Sequence, residues 1–175
     1  MIHIHYFSVV DFKRYMKSLG FVSFDYNRFD MTMERLINSD MAIISIGNSN
    51  EINRVNNDVD IWANGENNHW LPNLENVLNI EFGDVDNSGP MKYRTALTRE
   101  QAKTIAEFIL RNRNKQKFII HCGAGISRSG GIVHAISDIL TKYDIDHEIH
   151  PGIPTTPNYW VKKLVFDELN EKWEA

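Results

Sequence analysis

Short apolar segments alternate with segments of helical periodicity along this chain. Four of the apolar segments have the length and composition of strands: IHIHYF near the start, MAIISI, NVLNIEF and KFIIHC. Helices are predicted from caps and periodicity over residues 8–19, 98–113, 131–143 and 158–173. Ser8 is a candidate N-cap for the first helix, and Thr98 with Gln101 forms a capping box for the second.

This alternation predicts an α/β fold with a central, mostly parallel sheet flanked by helices on both faces. The 175 residues suffice for a substantial core, and we find no internal repeat or linker, so we expect a single domain over residues 1–175. Ligands of such sheets bind beyond the carboxyl ends of the strands. The segments HCGAGISRS and GDVD both follow predicted strands and are expected to meet at that edge.

Composition argues against several classes of partner. With 42% hydrophobic residues, 24% charged residues and a net charge of −4, the chain does not favour nucleic acid or an anionic membrane. No apolar run approaches the roughly 20 residues that span a bilayer, and the opening segment is too polar for a secretory signal. A single cysteine cannot form an internal disulfide, so the predicted location is the reducing cytoplasm.

That cysteine lies in the segment HCGAGISRSG, between the strand KFII and a predicted helix. Gly123 and Gly125 permit a turn that directs backbone N–H groups inward as an anion-binding nest. The following helix points its N-terminus at the same place, and the planar guanidinium of Arg128 matches two phosphate oxygens at once. These features favour a thiolate at Cys122, which makes it a candidate nucleophile.

A simpler interpretation treats Cys122 as a small buried hydrophobic residue and the glycines as a chain reversal. The order of the residues favours the nucleophile over this simpler interpretation, because HCGAGISRSG resembles the His-Cys-x5-Arg-Ser/Thr signature of the cysteine-based protein phosphatases. The matching residues are His121, Cys122, Gly125, Arg128 and Ser129. Two further segments extend the resemblance over most of the chain in weaker form. LNIEFGDVD is similar to the strand and acid-bearing loop of the compact dual-specificity phosphatases, and PNYWVKKL to the helix that closes their catalytic domain.

The resemblance implies the phosphotyrosine phosphatase-like fold and a two-step hydrolysis through a phosphocysteine on Cys122, with no metal or other cofactor. The loop expected to surround the phosphate consists of Gly123, Ala124, Gly125, Ile126, Ser127 and Arg128. Ser129 is expected to hydrogen-bond the departing sulfur, and His121 to support the loop by hydrogen bonds. An aspartate protonates the leaving oxygen. Asp84 is the predicted acid because it is the first carboxylate after the strand, and Asp86, before the turn-forming NSGP, is the alternative.

Other families with a similar loop fit less well. Low-molecular-weight phosphatases place the loop at the start of the chain, thiol-relay arsenate reductases need further cysteines, and rhodanese-type sulfurtransferases use a shorter loop. Larger tyrosine-specific phosphatases carry a glutamine loop after the signature, whereas Gln101 and Gln116 precede it here. Phosphoinositide phosphatases usually place lysines in the spacer, which here reads Gly-Ala-Gly-Ile-Ser. The predicted substrate is therefore a monophosphate on a protein or peptide side chain, tyrosine foremost.

Two alternatives stay open. RNA 5′-phosphatases share the fold, and a basic cluster is available to them, although a solvated helix face is the favoured interpretation of that cluster. Its members are Arg99, Lys103, Arg111, Arg113 and Lys115. The second alternative is a phosphate-dependent binding module that has lost turnover, since the sequence does not decide between Asp84 and Asp86 as the acid. Neither the physiological substrate nor the oligomeric state follows from the sequence.

Several other polar and aromatic residues have simpler explanations. HIH at residues 3–5 places two imidazoles on one strand face, where they can bind a metal, and HEIH at residues 147–150 offers the same. For HIH, which has no cysteine or carboxylate partner nearby in the sequence, a surface or edge strand is the favoured interpretation, and HEIH is interpreted in the same way. Trp62 and Trp70 either line the rim of the pocket or pack in the core.

Overall fold

The computed structural model describes residues 1–21, 29–47, 71–85 and 96–174. Its strands, in chain order, are β1 (Ile2–Ser8), β2 (Met41–Gly47), β3 (Val77–Glu81), β4 (Lys117–Cys122) and β5 (His147–His150). Its helices are α1 (Val9–Ser18), α2 (Phe29–Ile37), α3 (Arg99–Arg111), α4 (Ser127–Lys142) and α5 (Tyr159–Lys172). Each helix within the described ranges is too short or too polar to span a bilayer.

In the part of the chain that the structure describes, these strands form one sheet in the order β3-β2-β4-β1-β5, and every neighbouring pair is parallel. Strand β4 lies in the middle, and helices pack on both faces. The prediction of an α/β fold with a central, mostly parallel sheet between helices is confirmed.

Alternate residues of the central strands face two separate cores. Ile44 and Ile120 belong to the core under α3, α4 and α5, whereas Ile43 and Ile119 belong to the core under α1 and α2. Because helices cover both faces, β2 and β4 need apolar side chains on both sides, and their sequences are apolar almost without interruption.

Three of the four predicted helix starts agree with the structure. The Ser8 hydroxyl accepts a hydrogen bond from the first turn of α1, and Thr98 with Gln101 forms the capping box of α3. Asn158 caps α5 through its side-chain oxygen. The helix predicted from residue 131 begins earlier, since α4 starts at Ser127.

Sequence reasoning missed helix α2, and it identified HEIH only as a surface or edge strand without its partner. Helix α2 has nine residues, too few for its periodicity to show, and its buried side chains Met33 and Leu36 lie one turn apart. Strand β5 has the sequence HEIH, and its strand conformation comes from parallel pairing with β1 rather than from its own composition. The two tryptophan interpretations, Trp62 and Trp70, lie outside the described residues.

The carboxyl ends of the central strands lie side by side and attach the segment after β4 to the rest of the fold. Ser8 pairs with Cys122, and Ser45 pairs with His121. The Val9 N–H then donates to the Gly123 carbonyl at 3.2 Å. The glycine-rich segment is therefore held against the start of α1.

Helices α4 and α5 pack closely at Gly131. A Cβ atom added there would lie 2.6 Å from the Asn158 carbonyl oxygen and 2.8 Å from the Val161 Cβ. Gly131→Ala should lower the free energy of unfolding by about 1–3 kcal/mol, although alanine has the higher helix propensity. Thr141→Ala on the exposed face of α4 is the control and should change it by less than about 0.5 kcal/mol. Chemical denaturation measures both values, and a neutral Gly131→Ala would mean that the helices lie farther apart.

Candidate active site

The segment HCGAGISRSG joins the end of β4 to the start of α4, and Ile126 occupies the N-cap position of that helix. Polar N-cap side chains normally bind the first-turn N–H groups, but Ile126 makes no such hydrogen bond. The first turn of α4 therefore presents backbone donors and the positive end of its dipole to the space that the loop encloses. An anion is the ligand that suits such a helix start.

Cys122 lies at the base of this loop and is 2% exposed. Its Sγ accepts a hydrogen bond from the Gly125 N–H at 3.2 Å and lies 3.3 Å from the Ser129 hydroxyl oxygen. Both groups can donate to a negatively charged sulfur. The structure thus brings together three of the residues that the sequence singled out, and their arrangement suits a thiolate.

Arg128 is buried beside the same loop. Its Nη1 donates to the Gly47 carbonyl at 3.2 Å and to the Phe82 carbonyl at 3.0 Å. These carbonyls belong to the ends of β2 and β3, so the guanidinium is fixed across the edge of the sheet. A Cβ placed on Gly123 would lie 3.6 Å from its Nη2, which puts the guanidinium next to the loop backbone.

Asp84 lies at the rim of the loop, where its side chain is exposed. Its Oδ1 accepts hydrogen bonds from the Ser127 hydroxyl at 2.7 Å and from the Asn158 side-chain amide at 3.0 Å. The backbone N–H of Asn158 in turn donates to the Ser127 carbonyl at 2.8 Å. Three segments, after β3, after β4 and before α5, therefore meet at Asp84. Asp86, the alternative acid, lies outside the described residues.

The remaining loop residues divide by exposure. Ala124 and Ile126 are exposed, so their contribution to an anion site would come from the backbone. His121 is completely buried, and its ring stacks on Phe12 with centroids 4.1 Å apart and planes 20° apart. This stacking holds the strand end beneath the loop, and the hydrogen bonds expected of His121 stay a prediction.

An open groove of about 800 Å³ lies beside the loop and was not foreseen from the sequence. The loop forms one side of it, and β1, α1 and the end of β5 form the other. Residues along it include His5, Phe7, Tyr15, Ala124, Gly125 and His150. The rings of His5 and His150 stack with centroids 4.4 Å apart, and His5 also stacks on Tyr15 at 5.6 Å.

The charge on this groove is small. Burial, assisted by the neighbouring His150, Lys117 and His3, lowers the pKa of His5 to about 4, so its ring is neutral at pH 7. At the other end of the groove, Arg14 donates to Asp11 at 2.6 Å and neutralises it. The groove therefore presents a nearly neutral surface with several aromatic rings next to the loop. The sequence signal for it was the close succession of aromatic residues in β1 and α1.

Comparison with known proteins identifies no matching family profile, no matching curated protein and no matching solved structure.

The two glycines of the loop, which the sequence analysis treated alike, differ in backbone conformation and in packing. Gly125 has a φ of +70°, and a Cβ there would lie 2.1 Å from the Ser8 nitrogen and 2.3 Å from the Phe7 carbonyl carbon. Gly123 has no positive φ, and its nearest contact, Arg128 Nη2, is an ordinary one at 3.6 Å.

We therefore expect Gly125→Ala to lower the free energy of unfolding by about 1–3 kcal/mol, because the loop has to move away from β1. Gly123→Ala, in the same loop, is the matched control and should change it by less than about 0.5 kcal/mol. Urea denaturation of both variants tests this. Equal losses would show that the loop does not pack on the end of β1 as described.

Proposed function

We propose that this protein is a cysteine-dependent phosphomonoester hydrolase, a tyrosine or dual-specificity protein phosphatase that works through a phosphocysteine. The arrangement around Cys122 carries the proposal. Its sulfur lies within 3.3 Å of the Gly125 N–H nitrogen and the Ser129 hydroxyl oxygen, at the start of a helix whose N-cap makes no side-chain hydrogen bond. Such a site stabilises a charged nucleophile and the anion that it attacks.

In the first step, the Cys122 thiolate attacks phosphorus and a P–S bond forms while the P–O bond to the leaving group breaks. Backbone N–H groups of the loop and Arg128 would bind the phosphoryl oxygens and stabilise the charge that develops on them. Asp84, protonated at this stage, would give its proton to the leaving oxygen. Its position at the rim, bonded to Ser127, supports this assignment because the leaving group has to exit through the open side of the loop.

In the second step, water attacks phosphorus and the P–S bond breaks, releasing inorganic phosphate. Asp84, now a carboxylate, would accept the proton of the attacking water, which restores its starting state. The sulfur regains its negative charge as it leaves, and the Ser129 hydroxyl at 3.3 Å is placed to donate to it. Neither step requires a metal or another cofactor.

The groove beside the loop supports a protein or peptide substrate. Its aromatic walls and small net charge suit an aromatic side chain and the flanking peptide better than a lipid headgroup with several phosphates. The spacer residues of the loop add no positive charge to that of Arg128. Since the mechanism needs a reduced thiol, we place the protein in the cytoplasm as part of the same proposal.

Two members of the basic cluster, Lys115 and Arg111, give little support to an RNA substrate. Lys115 lies two residues before β4 begins, whereas the loop follows the end of that strand. A six-residue strand separates them by about 20 Å. Lys115 also donates to the Ser39 carbonyl at 2.7 Å, and the Arg111 guanidinium lies over the Phe108 ring. These contacts favour a role of Lys115 and Arg111 in the packing of the protein itself.

A phosphate-dependent binding module is the second candidate. Asp84 Oδ1 already accepts two hydrogen bonds at the rim of the loop, and a carboxylate held in this way can serve to shape the site without donating a proton. Only a hydrolase with a general acid turns over a substrate with a poor leaving group rapidly. Measuring that turnover therefore distinguishes the two functions.

The proposal is tested first by hydrolysis of phosphotyrosine, phosphoserine and phosphothreonine peptides in the presence of a chelator. Cys122→Ser should abolish turnover but retain binding of phosphate or vanadate, because the backbone donors and Arg128 remain in place. Turnover is measured by phosphate release, and oxyanion binding is measured by calorimetric titration with vanadate. Turnover near that of the wild type in the Cys122→Ser variant would exclude the phosphocysteine mechanism.

Asp84→Asn tests the acid with little disturbance, since the amide oxygen can still accept the hydrogen bonds from Ser127 and Asn158. We expect kcat/KM for a tyrosyl phosphate to fall about 10²–10⁴-fold and that for nitrophenyl phosphate to fall less, because only a poor leaving group needs the proton. Asp144→Asn, at an exposed position beyond the C-terminal end of α4 and outside the groove, is the control and should change either value little.

If Asp86→Asn shows the large loss and Asp84→Asn does not, the acid lies two residues further along the chain. If neither substitution affects the poor leaving group, the protein has no general acid in this segment, and the binding module becomes the better description.

A further inference from the structure

The β1–β5 edge of the sheet gathers imidazoles and a carboxylate from two segments that lie far apart in the sequence. In the parallel pairing of β1 with β5, His3 lies opposite Glu148, and His5 lies opposite His150. Side chains two residues apart on a strand share a face, so all four belong to one face of the β1–β5 edge. The segment HEIH already holds Glu148 beside His150, and the strand pairing brings His3 and His5 of β1 next to them.

Three donor atoms of this group form a compact triangle. His3 Nδ1 lies 3.1 Å from His150 Nε2 and 3.6 Å from Glu148 Oε2, and the last two atoms lie 3.5 Å apart. In a tetrahedral site with zinc bonds of about 2.0–2.1 Å, any two ligand atoms lie about 3.3–3.4 Å apart. The observed triangle therefore needs adjustments of only a few tenths of an ångström to form one face of such a tetrahedron.

We propose that His3, Glu148 and His150 form a binding site for a divalent transition-metal ion of the zinc class. Two imidazole nitrogens and one carboxylate oxygen are a donor set that Zn²⁺ and its neighbours in the first transition row accept, whereas Mg²⁺ and Ca²⁺ prefer oxygen ligands. With three protein ligands, the fourth position of the ion is open to water.

The surroundings favour this use of the three side chains. The exposed fraction of the side chain is 33% for His3, 57% for Glu148 and 34% for His150. An ion can therefore reach the three side chains from solvent while the protein stays folded. The His150 ring is held by stacking on His5 at 4.4 Å, which limits the reorientation needed on binding. The His147 ring, on the opposite face of β5, lies 2.9 Å from the Ser137 hydroxyl and takes no part.

An ion at this position joins β5 to β1 by bonds other than the sheet hydrogen bonds. Strand β5 has only four residues, and the chain continues from it through residues 151–157 to Asn158, the side chain that contacts Asp84. The ion thus stabilises the strand from which this connection departs. The site does not involve Cys122, although its ligand His150 also lies along the groove beside the loop.

Metal binding is tested in the Cys122→Ser protein, so that sulfur cannot contribute a ligand. Titration calorimetry with Zn²⁺ should show one site per chain, and Co²⁺ should give the intense visible absorption of a tetrahedral ion. The unfolding temperature should rise by several degrees with Zn²⁺ and return with chelator, because an ion that binds only the folded state stabilises it.

Glu148→Gln keeps the shape of an exposed side chain and should weaken Zn²⁺ binding at least tenfold, as should His150→Ala. His147→Gln, on the same strand but the opposite face, is the matched control and should bind as tightly as the parent. Absence of binding in the parent, or binding that survives either ligand substitution unchanged, would overturn the site. Neither result bears on the phosphatase proposal, because no step of the test measures hydrolysis.

Discussion

The buried guanidinium of Arg128 ties the edge of the sheet together. A buried charge is stable only where its donors find acceptors, and here two backbone carbonyls from different strand ends, those of Gly47 and Phe82, accept from one nitrogen. The ends of β2 and β3 therefore have to lie next to the start of α4. Because Arg128 belongs to the loop that contains Cys122, the same interaction fixes the loop relative to the segment that carries Asp84.

The position of Asp84 depends on a second chain of contacts that begins in the helical layer. The absence of a side chain at Gly131 lets α5 approach α4, and this approach places Asn158 at the rim of the loop. Asn158 then caps α5 with its side-chain oxygen and donates to Asp84 with its side-chain nitrogen. Packing between helices and the geometry of the candidate site are thus linked through one residue. A substitution that alters the packing of α4 on α5 can therefore change the position of Asp84 through Asn158.

The sequence predicted the parts of the fold that have strong local signals. Caps at Ser8 and Thr98, and the apolar runs of β2 and β4, identified the elements and their alternation, which is enough to predict a parallel sheet. The loop was found because its residues are contiguous. What could not be predicted depends on contacts between distant segments: the hydrogen bonds of Asp84 with Ser127 and Asn158, and the pairing of HEIH with β1. No local pattern indicates these, since each follows from which strands and helices become neighbours.

The place of β1 in the sheet has a consequence for the order in which the protein can assemble. It precedes the other described strands in the chain, yet its partners are β4 and β5, and His3 pairs with Lys117. At about 5–20 residues per second, roughly 6–23 s pass between the synthesis of His3 and that of Lys117. During this time the apolar residues Ile2, Ile4 and Phe7 lack the neighbouring strands that they have in the folded protein. Contacts between residues so distant in the chain also slow folding itself. Synthesis of this protein therefore exposes an incomplete sheet edge to other chains for longer than a fold built from local hairpins would.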